Sequence, residues 1–322
     1  MKKFTAPWVT SNILQEIEAS LNKLLIQLLQ LCSVEQFYLL MNQLIIQDLE
    51  VTNIWEGQDR TVQSAVTLLQ LLILCPLKED IERMVWCCIP QVTTALVMLI
   101  REACQDQSLV STVTVPVLQT LATLVKQGEG IIRNPHHVTL VFGALLTIPL
   151  EQLKTDKYYT VFLAYHEVLF SVLQYHPKVM LKAAPSFLNC FHRLVVSIIH
   201  EGQQKGERAK GSSSDFKFVI KCAQLVERMY THIAAKTEEF TIFSSFMVSQ
   251  YVNELQKVTV HPEVKKHLTE GIYHILDLCI DRDVKFLNTS LQMGVREVFK
   301  DLYESYNHYH KTKKQGEEKY TS

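Results

Sequence analysis

Eight cysteines and twelve histidines are the side chains of this 322-residue chain best suited to ligate a metal or act as nucleophile or base. The cysteines stand at Cys32, Cys75, Cys87, Cys88, Cys104, Cys190, Cys222 and Cys279, and no CxxC pair occurs. Most lie in apolar runs such as Leu71-Leu72-Ile73-Leu74-Cys75, where a free thiol behaves as a small hydrophobe. That predicts reduced core thiols in an intracellular protein. Cys87 and Cys88 are adjacent, so they point to different helix faces and do not close one tetrahedral site. His136 and His137, just after Pro135, share that limit and read as surface residues at a helix N-terminus. His308 and His310 flank Tyr309 with no cysteine or carboxylate set nearby, which predicts solvated histidines. Asp281 and Asp283 flank Arg282 at a helix start, where carboxylates cap the helix and complement its dipole.

Catalytic motifs do not emerge. Gly128-Glu129-Gly130 runs into Ile131 and Ile132 without a phosphate-binding GxGxxG, and neither GxxxxGK[ST], GxSxG nor HExxH appears. The expectation is therefore a non-enzyme with no catalytic, cofactor-binding or metal residues, no cofactor and no small-molecule substrate. Ten Gly and nine Pro, about 3% each, with 48% hydrophobic residues, exclude a disordered chain or disulfide scaffold and favour a large helical core. With 32 basic against 33 acidic side chains, a wholly basic nucleic-acid binder is also excluded. Residues 1–150 hold 9 basic and 13 acidic side chains (net −4); residues 151–322 hold 23 and 20 (net +3) and 10 of the histidines. The Met1-Lys2-Lys3 start has no apolar h-region after it, and the oily stretch from Val66 to Leu77 is broken by Gln70 and Pro76. The expectation is a soluble chain with no membrane partner.

Stepping along the chain, apolar residues recur at helical spacing nearly everywhere. Ile13, Ile17, Leu21, Leu24, Leu25 and Leu28 fall on one face. Ser33-Val34-Glu35-Gln36 matches a capping box and predicts a helix to about Leu49, broken by Trp55-Glu56-Gly57. Val62, Ala65, Val66, Leu69, Leu72 and Ile73 mark the next helix, which must stop before Pro76. Stretches near 78–104, 108–127, 135–148, 156–175 and 178–200 read the same way. Val110 to Val115 is β-branched and alternating, yet a lone strand has no partner here, so it is read as helical. Glu201 to Ser214 contains no large apolar residue and reads as a mobile polar loop. Helices resume at Phe216 and continue near 237–257, 262–280, 283–291 and 294–311.

The expected architecture is all-α: an irregular α-solenoid, HEAT- or armadillo-like, of stacked antiparallel helices, with an irregular bundle as the competing fold. The expected division is a helical array at 1–200, a flexible loop at 201–214, a C-terminal helical domain at 215–311 and a disordered tail at 312–322. The helices flanking the loop can still pack across it.

Three C-terminal segments carry a resemblance. They are Gly271-Ile-Tyr-His-Ile-Leu-Asp-Leu-Cys279, Asp283-Val-Lys-Phe-Leu-Asn-Thr-Ser-Leu291 and Val295-Arg-Glu-Val-Phe-Lys-Asp-Leu-Tyr-Glu-Ser-Tyr306. Together they resemble the C-terminal region of the Urb2/Npa2 family, the nucleolar "unhealthy ribosome biogenesis protein 2" proteins, most strongly over 262–311. The resemblance implies an early factor in large-subunit (60S) assembly and precursor rRNA processing. It also implies other nucleolar assembly factors of pre-60S particles as partners, and a chain that is the C-terminal portion of a longer one. A generic α-solenoid adaptor in transport or trafficking is the alternative.

In the last helix Val295, Val298, Phe299, Leu302, Tyr306 and Tyr309 form one face, expected to dock onto the preceding helices. Off that face, Arg296, Lys300 and Tyr303 are the candidate partner-binding residues, because Tyr and Arg are enriched at interface hot spots. Stacking of Tyr303 or Tyr309 on RNA beside Lys300 and Lys311 is the weaker reading: residues 296–322 hold 6 basic and 5 acidic side chains, so pre-rRNA contact is expected to be indirect.

Overall fold

The computed structural model describes residues 11–128, 134–203 and 213–312, and every regular element among them is helical. The chain divides into two compact units, Met1–Ile131 and Ile132–Ser322.

The first unit runs α1 (Ser11–Leu31), α2 (Val34–Gln43), α3 (Thr52–Trp55), α4 (Asp59–Leu74), α5 (Glu79–Cys87), α6 (Ile89–Ala103), α7 (Gln107–Leu109) and α8 (Val115–Val125). Ser33 opens α2 with the expected capping box: its hydroxyl accepts from the Gln36 amide at 3.2 Å, and the Gln36 side chain accepts from the Ser33 amide at 3.0 Å. A π-helical turn, Leu44–Asp48, extends α2, and Gly57, at φ +71°, ends the short α3 region in a conformation that L side chains rarely adopt. In α4 the six predicted core residues are all buried, the five Val, Leu and Ile side chains each contributing about 1.5–3 kcal/mol, and the helix packs on α8. The stretch expected at 78–104 is two helices bent by 50° at Cys88, where Pro90 opens the first turn of α6. The β-branched segment is helical, as a π turn, Val110–Thr114, joining α7 to α8. By length and composition Gln107–Val125 could cross a bilayer, but most of it is buried within this unit.

Burial reverses one expectation. The apolar stripe of α1 is exposed: Ile13, Ile17, Leu21, Leu24, Leu25 and Leu28 are 38–55% accessible, and Leu29 is the one core side chain among those described in α1. Periodicity specifies a face; it does not specify what covers it. The cysteines divide similarly. Cys75, Cys190 and Cys222 are buried, whereas Cys87 is exposed and the others lie between.

The second unit runs α9 (Pro135–Leu145), α10 (Thr155–Tyr175), α11 (Pro177–Leu181), α12 (Ala184–Glu201), α13 (Ser213–Ala234), α14 (Thr237–Phe240), α15 (Ser244–Lys257), α16 (Pro262–Leu276), α17 (Asp281–Ser290) and α18 (Met293–Ser305). A third π turn, Tyr306–Lys311, extends α18. Of the loop expected at 201–214, Glu201 closes α12, Gln203 forms an isolated bridge with Val260, and α13 begins at Ser213; 204–212 lies outside the described residues. The flanking helices do pack across it, α12 against α13 and α15. Of the tail, Thr312 caps the last turn and 313–322 lies outside the described residues. The most extensive helix pair is α13 with α16. Gly271 permits it, since a Cβ there would stand 2.7 Å from the Tyr230 ring and 3.1 Å from the Glu227 backbone.

Candidate partner-binding surface

Arg296, Lys300 and Tyr303 follow one another along α18 at steps of four and three, and the structure gives each a different setting. The Arg296 guanidinium turns back onto α17. Its Nη2 donates to the Leu291 carbonyl at 2.8 Å and to the Thr289 carbonyl at 3.4 Å. Those are carbonyls that a helix C-terminus leaves without intrahelical donors, at the negative end of its dipole. Arg296 is therefore half-buried and engaged as a cap, not free on the surface. Its buried Nε has no hydrogen-bond partner among the described residues. Lys300 is exposed and pairs with exposed Glu297 at 2.8 Å, a contact of little energetic weight. Tyr303 is half-buried in a ring ladder, stacked against Phe299 and Tyr306 with centroids 5.8 Å away on either side.

That ladder continues from Tyr306 to His310 at 5.6 Å. Val295, Phe299, Leu302 and Tyr306 are buried as expected, but Tyr309 is 67% exposed. The reason is the π turn at Tyr306–Lys311. An i→i+5 turn takes more residues than an α turn, so the inward position slips from 309 to 310. His310, expected to be solvated, points inward. Its Nε2 lies 3.1 Å from Asp277 Oδ2, while the Tyr306 hydroxyl donates to Asp277 Oδ1 at 2.9 Å. Burial, and then the Asp277 carboxylate that accepts its hydroxyl, pushes the Tyr306 phenol well above its ordinary value, so it remains a donor. His274, one turn before Asp277 on α16, meets the His310 ring edge-on at 5.3 Å. Burial first and His310 second hold His274 below the usual imidazole value.

Other singled-out residues are structural. Asp283 Oδ2 accepts from the Ile280 amide at 3.2 Å and caps α17. His136 and His137 sit at the start of α9, where the Asn134 side chain accepts from the His136 amide at 2.9 Å. His308 remains exposed beside Tyr309. Sequence reasoning passed over His274 and Asp277. Their i, i+3 spacing was readable, but the third member depends on a turn type that spacing alone does not reveal.

These observations define an all-helical protein whose last three helices are locked by an aromatic ladder and short-range polar pairs. The chain matches the Urb2/Npa2 family over residues 115–315, which takes in α8 to α18, and it belongs to that family. Membership implies a role in ribosome biogenesis. No solved structure matches the chain.

Proposed function

We propose that this chain is a non-enzymatic helical scaffold in early large-subunit assembly and precursor rRNA processing. In this reading it works in the nucleolus, on pre-60S particles, through protein contacts with other assembly factors, and meets pre-rRNA only indirectly. It engages no membrane and no small-molecule substrate. Its helices form an irregular α-solenoid, and residues 215–311 carry the partner-binding end. There Lys300 and Tyr303 make the contact, and Arg296 positions them by holding α17 to α18.

The observation that carries this reading is the family match over 115–315. The near-balance of 6 basic and 5 acidic side chains across 296–322 supports a protein rather than a phosphate backbone as the partner. The test is tandem: purify the full chain from nuclear extract with and without RNase, and measure precursor rRNA after depletion. Retention of large-subunit assembly factors after RNase, with precursor accumulation on depletion, is the expected result. A cytosolic distribution with unchanged precursors, or capture of a cargo or coat protein instead, overturns it in favour of a transport adaptor.

A further inference from the structure

His274 lies in the last turn of α16 and Asp277 is its C-cap residue three positions on, still in αR conformation, which places both on one face. The π turn after α18 delivers His310 to the same place. One donor atom from each of the three lies within 4.8 Å of the other two. Two ligand atoms at zinc distances around one tetrahedral centre stand about 3.3 Å apart, and Asp277 Oδ2 to His310 Nε2 is 3.1 Å. The other carboxylate oxygen is held by the Tyr306 hydroxyl at 2.9 Å, the kind of outer hydrogen bond that fixes a ligating carboxylate.

A plain Asp–His staple would account for the Asp277–His310 contact. It leaves His274 unexplained, since no described group hydrogen-bonds to its ring, which is nonetheless turned toward His310. We propose that His274, Asp277 and His310 form a binding site for a divalent transition-metal cation of the zinc type, tying the terminal π turn to α16. Two imidazoles and one carboxylate suit that class of ion, and a water completes the coordination. Cys279, close by in sequence, is not the fourth ligand. Its thiol donates to the Ile275 carbonyl at 3.7 Å.

The test titrates zinc sulfate into the chelator-stripped full chain by calorimetry and follows the melting temperature in parallel. His274→Ala is the deciding variant, because it removes a ligand without removing a hydrogen bond. The expected result is one site whose occupancy raises the melting temperature of the parent, with affinity reduced at least about tenfold in the variant. His274→Gln serves the same purpose if the alanine variant folds poorly. Cobalt substituted into the parent chain should give ligand-field bands without a thiolate charge-transfer band. Equal affinity in parent and variants, a thiolate band, or a melting temperature insensitive to zinc overturns the site.

Discussion

At the scale of single residues, Arg296 shows how a surface cation becomes structural: two carbonyls at the end of α17 claim its guanidinium. Removing it should cost about 1.5–3 kcal/mol, the range for hydrogen bonds to a charged group, whereas Lys300→Ala should change stability by under ~0.5 kcal/mol. Phe299→Ala, which empties a fully buried site, should cost about 3–5 kcal/mol. Denaturant midpoints rank the three, and an Arg296 variant as stable as Lys300→Ala would refute the cap. His166 offers a pH prediction. It stacks between Phe162 and Phe170, is 6% exposed, and its Nε2 has no hydrogen-bond partner among the described residues. Burial lowers it to about 4, against ~6.5 in an unfolded chain. A depressed imidazole favours folding when neutral. Its contribution is thus fully present above ~6.5 and is lost as pH falls toward 4. Between pH 7 and 5 the parent should lose about 2 kcal/mol more than His166→Leu in urea unfolding. Equal losses would remove His166 from the account.

At the scale of elements, the α13–α16 pair depends on one missing methyl group. Gly271→Ala would normally strengthen a helix by up to ~1 kcal/mol, but here the new Cβ meets the Tyr230 ring and the Glu227 backbone. A net destabilisation of about 1–3 kcal/mol is expected from thermal or urea melts, and a stabilised variant would show that the helices can separate freely. Helix positions were legible because 3.6-residue periodicity, Ser33 capping and Pro76 each act locally. Three features were not. The 50° bend at Cys88, the exposed stripe of α1 and the slip from Tyr309 to His310 arise from packing and turn type, which apolar spacing alone does not encode. The slip matters most, because it converts a histidine that reads as solvated into the partner of Asp277.

At the scale of the whole molecule, charge and composition act as exclusions. A near-neutral chain of 32 basic and 33 acidic side chains has no overall field for gathering a polyanion, which is why retention of partners after RNase is the expected outcome above. The amino-acid sequence by itself determined that the protein is helical, where most helices begin, and which family it belongs to. Each of those follows from local propensity or from residue patterns along one segment. Tertiary structure alone decided which apolar faces are covered, which cation caps a helix, and that His274, Asp277 and His310 meet. The physical reason is distance along the chain: groups 33 residues apart become neighbours only when α16 and the terminal π turn pack together, and a one-residue change of phase there exchanges a tyrosine for a histidine.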